Sequence, residues 1–372
     1  MVHVRERRPS FRCTVEPVKL SELGEDGFLA RLRDRLPAPG PAVVLGLGDD
    51  TAVLDLPQAE RTLVTTDVLV EGVHFLRRTL PPRFIGRKAV AVNASDIAAM
   101  GGRPVGILMS LMTPAESSVS ELMELFDGLI ERASGLGADL VGGNLCTSPG
   151  PLAVDVTIVG ASRRGRIMER RGARPGDAIY VSGKLGASAE GLRLLNEGVA
   201  LAASGSLIVP NSLRSGPLPL AEQCLRAHID PEPRLELGAF LCENEVATAC
   251  IDLSDGLARD LHRLCRASGV GSRIEESALP VHPGVLAWEG LRKRPPLDLA
   301  LAGGEDYELL FTVRKEGLLE RWRQEGSVPI TRIGEVIDSR EGIRLATREG
   351  SERSLEPAGW DHFLPPSSQR GA

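Results

Sequence analysis

Two acidic segments lie far apart in the chain and share one composition: Gly48-Asp49-Asp50-Thr51 with Thr65-Thr66-Asp67 early, and Ile251-Asp252-Leu253-Ser254-Asp255-Gly256 late. Carboxylates set beside Gly, Ser and Thr within apolar stretches are costly to desolvate unless cations neutralise them. An all-oxygen donor set of this kind suits magnesium, a hard ion that keeps several waters and binds through one or two carboxylates plus substrate phosphates. Metal held in this way serves phosphoryl transfer, in which positioning and charge neutralisation supply most of the rate. The residue types therefore point to chemistry on nucleotide phosphates.

The elements that must position these residues alternate in period. Segments 43–45 and 61–66 read as strands running into acidic turns. From 83 to 100 the period becomes helical, with Ile85, Ala89, Val92 and Ile97 on one face and Gly101-Gly102 as the stop. Asp96 and Asn93, one turn apart, make a polar stripe on that helix. A second helix, 118–135, opens with a capping box of Ser118 and Glu121. Leu152, Val154, Val156 and Ile158 then alternate with polar or small residues as a half-buried strand. The second half repeats the plan: a strand at 178–182, a helix at 187–195, and a Gly/Ser/Pro-rich loop at 198–219. After that come a strand at 248–251 leading to Asp252, a helix at 257–265 with Asp255 at its N-terminus, and a strand at 308–313 behind Gly303-Gly304-Glu305-Asp306. The expected fold is two α/β domains. Their divisions fall at a loose extension over 1–20, an N-terminal domain over 21–162, a C-terminal domain over 163–363, and a polar tail over 364–372.

Composition narrows the function classes. A formal charge of -6 argues against a nucleic-acid binder, which needs a basic face, and 3% aromatic residues leave few stacking platforms for single strands. The six cysteines show neither a Cys-x-x-Cys pair nor a zinc spacing with histidine, and read as reduced thiols of a cytoplasmic protein. The basic start, Arg5 to Arg8, is followed by no apolar core, so it is not a secretory signal. No run nears the roughly 20 apolar residues that a membrane span requires. Nucleotide motifs of the common kinds are missing, since Gly183-Lys184 is followed by Leu185 where a Walker loop needs Ser or Thr.

Five motifs occur in an order that resembles the thiamine-monophosphate kinase family, of the aminoimidazole ribonucleotide synthetase-like superfamily. They are Gly46-Leu47-Gly48-Asp49-Asp50-Thr51-Ala52-Val53, then Thr65-Thr66-Asp67 running to Gly72-Val73-His74-Phe75, then Asn93-Ala94-Ser95-Asp96-Ile97. Ile251-Asp252-Leu253-Ser254-Asp255-Gly256 and Gly303-Gly304-Glu305-Asp306-Tyr307-Glu308-Leu309 complete the series. The resemblance covers about 20–363. It implies a homodimer in which the N-terminal halves pair their sheets, and transfer of the ATP γ-phosphoryl group onto thiamine monophosphate. It also implies that Asp50, Thr65, Thr66, Asp67, Asp96 and Asp252 hold several magnesium ions, with Asp255 on a further one. Ser254, Gly143 and Arg170 would contact ATP, and His74, Glu305 and Trp360 would face the thiamine phosphate. Blander roles compete: Asp255 as a helix cap, His74 as an interior histidine, Arg170 as part of a solvated basic patch, and Trp360 as a tail anchor.

One segment departs from the family pattern: Gly142-Gly143-Asn144-Leu145-Cys146-Thr147 stands where Gly-Gly-Asp-Thr-Thr-Arg is common. Asn144 still offers a carbonyl oxygen to magnesium or ATP but no charge. Two other readings stay open, another ATP-dependent synthetase of the superfamily and a dimeric nucleotide-binding protein without turnover. If the Asn144 side chain is a metal ligand, Asn144→Asp is expected to raise the apparent magnesium affinity in a metal titration. An unchanged titration assigns position 144 a main-chain role only.

Overall fold

A helix that is apolar on nearly every side must be buried on nearly every side, and Pro82–Ala99 (α1) is such a helix, with Ile85, Ala89, Val90, Val92, Ala94 and Ile97 all buried. It lies between the two halves in a computed structural model that describes residues 43–45, 52–54, 61–162, 165–202, 206–214, 216–288 and 295–363. The acidic turn 48–51, with Asp50, and the extension 1–20 fall outside the described residues, as does the tail 364–372.

The first half forms a six-stranded sheet in the order β1-β2-β3-β6-β4-β5. These strands are β1 (Val43–Leu45), β2 (Ala52–Leu54), β3 (Thr62–Val70), β4 (Arg103–Thr113), β5 (Asp139–Thr147) and β6 (Ala153–Ala161). Only the β4–β5 pair is parallel. One face, with Leu63, Ile107, Met109, Val154, Val156 and Ile158, is buried with α1 and α2 (Val119–Gly135). The two helices approach closely because glycines face backbone: a Cβ on Gly86 would stand 2.0 Å from the Leu125 carbonyl oxygen, and one on Gly128 1.9 Å from that of Arg83. The expected capping box at Ser118 does not form. The Ser118 side chain makes no cap bond and instead meets the Ser120 hydroxyl at 2.8 Å.

The second half carries α3 (Ala187–Asn196), a short ladder of β8 (Ala200–Leu201) with β9 (Leu207–Ile208), α4 (Leu218–Ile229), α5 (Leu235–Glu243) and α6 (Leu257–Ser268). Pro219 is read from sequence as the end of a loop, but it opens α4, a place proline suits because the first helical N–H needs no partner. A seven-stranded sheet runs β10-β12-β7-β13-β11-β14-β15. Its members are β7 (Ala178–Ser182), β10 (Ala247–Asp252), β11 (Gly271–Glu275), β12 (Leu309–Val313), β13 (Ile330–Ile337), β14 (Ile343–Ala346) and β15 (Glu352–Ser354). Both halves are thus α/β, with mixed sheets in which antiparallel pairs predominate. Cys224, Cys242, Cys250 and Cys265 are buried free thiols and Cys146 is an exposed one. Among the described residues no helix is long and apolar enough to cross a membrane.

Arg234, at the start of α5, donates through Nε to Glu308 Oε2 at 2.6 Å, and Ser182 Oγ donates to the same oxygen at 2.5 Å. Glu308 is only 4% exposed. Arg234→Met strands this carboxylate, and the expected loss is about 3–5 kcal/mol of unfolding free energy in a urea titration. A loss below about 1 kcal/mol would show that water replaces the guanidinium at no cost.

Candidate active site

Strand β3 was expected to end in its acidic turn, yet Thr65, Thr66 and Asp67 lie in its middle, because pairing with β6 extends it to Val70. Period-two alternation then divides the motif. Thr65 faces the helices, and its Oγ1 donates to Asp96 Oδ2 on α1 at 2.5 Å. Asp67, two residues on, shares the Thr65 side of the strand. Thr66 faces the opposite way, its hydroxyl 2.9 Å from both Asp155 Oδ1 and Thr157 Oγ1. Register places Asn144 opposite Ser110 and Ser110 opposite Asp155, so Asn144 belongs to the Thr66 face. Gly143 lies in the other row, opposite Met109 and in line with Val156 and Asp67.

The neighbour of Asp96 reaches the second half. Ser95, wholly buried, donates to Asp252 Oδ2 at 2.7 Å, where β10 ends. Beyond it, the 252–255 turn is zipped to the 305–308 loop by main-chain bonds: Leu253 N to Glu308 O, Glu305 N to Ser254 O, and Tyr307 N to Leu253 O, at 2.7–2.9 Å. Glu305 and Tyr307 take φ of 64° and 49°, a left-handed conformation uncommon for residues with a Cβ. Tyr307 is buried, and burial together with the charges of Glu305, Asp67, Asp252 and Asp255 pushes its phenol well above the usual range. One hydroxyl thus senses acids from both halves.

Asp255 is not the cap of α6. The cap position is Gly256 and has no side-chain bond, while the Asp255 carboxylate pairs with Arg263 at 2.5 Å. The Asp255 N–H goes instead to Asp260, a fully buried acid also bound by Arg263. Burial, and the nearby Asp255, raise the Asp260 carboxyl against the pull of Arg263 and Arg170. The Arg170 carbonyl accepts from Ser268 Oγ at 3.1 Å. An open cleft of about 560 Å³, lined in part by Glu169, Arg171, Arg174, Thr248 and Ser268, flanks Arg170.

A second cluster gathers at the other end. His74 Nδ1 accepts the Val70 N–H at 3.0 Å. Burial first, and then His362, lowers its imidazole to about 4, so near neutral pH the ring is uncharged and carries its proton on Nε2. The His74 ring lies 5.1 Å from that of His362, which meets Trp360 edge-on at 5.6 Å. Trp360 Nε1 donates to His362 Nδ1 at 3.2 Å. The tail is fixed by other groups: Arg259 and Asp361 form a buried pair at 3.0 Å, and the Trp360 N–H bonds to the Asp255 carbonyl. Anchoring is therefore done by Asp361, and the half-buried indole is held at the edge of the site. Glu305 Oε2 takes Lys88 Nζ at 2.9 Å and His228 Nδ1 at 3.1 Å. Burial opposes the ionisation of Glu305, but Lys88 and His228 outweigh it and keep the carboxyl well below the usual range.

Sequence reading passed over Ser95, Lys88, His228, Tyr307, Arg263 and His362. Ser95 and Tyr307 sit inside motifs already singled out, His362 lies two residues past Trp360, and Lys88 carried a signal as a cation within an apolar helical period. His228 had none. As a metal site, the set Thr65, Asp67, Asp96 and Asp252 is all oxygen. Among the described residues no group of three or more acids, histidines or cysteines is close enough to hold a metal ion. Open, oxygen-only pairs fit magnesium, which leaves positions for water and phosphate.

Residues 48–162 match the family described as AIR synthase related protein, N-terminal domain, and residues 174–345 match its C-terminal domain. The chain is 36% identical over 345 residues to the thiamine-monophosphate kinase of Salmonella typhimurium, covering 92% of this chain and 99% of that protein. The corresponding Bacillus subtilis protein is 36% identical over 327 residues, 87% of this chain and 94% of that one. A solved structure, AaThiL complexed with AMPPCP and TMP, superposes with a TM-score of 0.78 at 32% identity, covering 94% of this chain and all of that one. Motif order, paired α/β halves and likeness over nearly the whole chain lead to one conclusion: this chain belongs to the thiamine-monophosphate kinase family.

Proposed function

We propose that this kinase transfers the γ-phosphoryl group of ATP in line onto the phosphate of thiamine monophosphate, releasing thiamine diphosphate and ADP. The observation that carries the reading is the pair of adjacent bonds Thr65–Asp96 and Ser95–Asp252, which brings acids of both halves to one helix. Asp67, Asp96 and Asp252, with the Thr65 hydroxyl, are the residues that would hold magnesium, and the ion would offset the mutual repulsion of two phosphate polyanions. The acceptor phosphate is already anionic and needs no general base, so none is assigned. Thr65 and Ser95 fix the orientation of Asp96 and Asp252. Arg170 would bind nucleotide phosphate, with Gly143 and Ser254 as further contacts. Neutral His74, with its Nε2 proton, can donate to the acceptor phosphate. The ligand names AMPPCP and TMP in the AaThiL complex, an ATP analogue and the monophosphate, support this division.

The outer face of the first sheet supports a homodimer. Val68 and Leu108 are 41% exposed there, and Val141 on the edge strand, packed toward Gly106 of the same row, is 64% exposed, an apolar surface of the kind that a partner covers. Thr66, Asp155 and Asn144 belong to the same face, so their polar groups would lie at that contact rather than beside Asp96.

Incubation with ATP, magnesium and thiamine monophosphate is expected to yield thiamine diphosphate. Asp252→Asn should lower turnover at least ~100-fold, the scale of losing one strong electrostatic stabiliser; near-normal turnover would remove Asp252 from the site. Trp360→Ala is expected to raise the KM for thiamine monophosphate roughly tenfold and leave that for ATP unchanged, because an indole face attracts a flat, cationic thiazolium. Unchanged constants with a lowered Tm would leave Trp360 as packing only.

A further inference from the structure

Lys88 lies on α1 among Ile85, Ala89 and Val92 and is wholly buried. Lysine is almost never fully buried unless paired, and a methionine would fill the same space without desolvating a charge. Its partner is Glu305, 217 residues later, at 2.9 Å. Seven residues separate Lys88 from Ser95, which puts both on one side of the helix. That side sends two polar groups into the second half, one to Glu305 and one to Asp252.

The geometry at Glu305 is restrictive. Both of its side-chain contacts, Lys88 Nζ and His228 Nδ1, fall on Oε2, while the side chain keeps 23% of its surface open. His228 Nδ1 also lies 3.1 Å from Ser188 Oγ on α3, which steadies that second arm. The main chain is fixed in its left-handed conformation by the bond to Ser254. With Oε2 occupied inside, Oε1 is the oxygen left for the open side.

We infer that Lys88, with His228, is a positioning residue for the acceptor substrate: it locks Oε2 of Glu305 so that Oε1 is presented to the cationic thiamine moiety. The inference rests on the reading of Glu305 as substrate-facing. It makes α1 the common mount of the phosphate-side acids and the acceptor-side acid, so that their separation is set by one rigid element.

The test begins with the unmodified protein. Failure to form thiamine diphosphate would refute the functional reading by itself. Given activity, Lys88→Met is expected to raise the KM for thiamine monophosphate about tenfold, with the KM for ATP within about twofold, and Glu305→Gln is expected to do the same. The double variant Lys88→Met/Glu305→Gln buries no lone charge, and its KM should equal that of Glu305→Gln alone, because Lys88 acts only through Glu305. Multiplying losses in the double variant would overturn the inference, as would a fall in kcat at unchanged KM in Lys88→Met. If Lys88→Met does not fold, comparison of the double variant with Glu305→Gln decides alone.

Discussion

Neighbouring residues on a helix point about 100° apart, and this site turns that constraint into a hinge between two sheets. Asp96 receives Thr65 from β3 of the first sheet, while Ser95 donates to Asp252 at the end of β10 of the second. Two sheets folded from separate stretches of chain are thereby referred to a single turn of α1. The apolar burial of that helix follows from this position. A helix that meets acids of both halves must be surrounded by both, and apart from ion pairs such as Lys88–Glu305 and Arg87–Asp230 its remaining surface packs on apolar neighbours.

Close approach is the next requirement. Gly86 and Gly128 let α1 and α2 touch backbone to backbone, and at the far end Gly238 of α5 faces Ala98, where a Cβ would stand 2.1 Å from the carbonyl oxygen. Side chains at these points would lift α1 away from one sheet or the other, and the hydroxyl–carboxylate bonds at 2.5 Å and 2.7 Å leave little room for that. Packing and site geometry are therefore one constraint, carried by small residues on the helix surfaces.

What the sequence made legible follows from period and motif. The alternation of Val154, Val156 and Ile158 and the helical runs around α1, α2 and α6 reflect one-sided or complete burial, which is local information. Two helices, α4 and α5, were hidden because the stretch before them is rich in Gly, Ser and Pro, and Pro219 reads as a breaker until its N–H is seen to be dispensable at a helix start. The split of Thr65 from Thr66 needed the strand to continue to Val70, and that depends on pairing with β6, a contact distant in sequence. The partner of Lys88 was illegible for the same reason, since a cation in an apolar run announces a partner without naming it, and His228 gave no signal at all.

The acids of the site differ in what restrains them, and the difference bears on what the proposed metal would have to displace. Asp255, Glu305, Glu308 and Asp361 each face an Arg or Lys of the chain: Arg263, Lys88, Arg234 and Arg259. Asp96 and Asp252 each accept a hydrogen bond from a hydroxyl, that of Thr65 or of Ser95. A hydroxyl aims a carboxylate without cancelling its charge, whereas a guanidinium does both. Asp255 would have to give up Arg263 to ligate a cation, and Arg263 would then turn wholly to the buried Asp260, whose own burial disfavours the charged form. In the proposed reaction, a cation at position 255 would therefore be coupled through Arg263 to the ionisation of a buried neighbour.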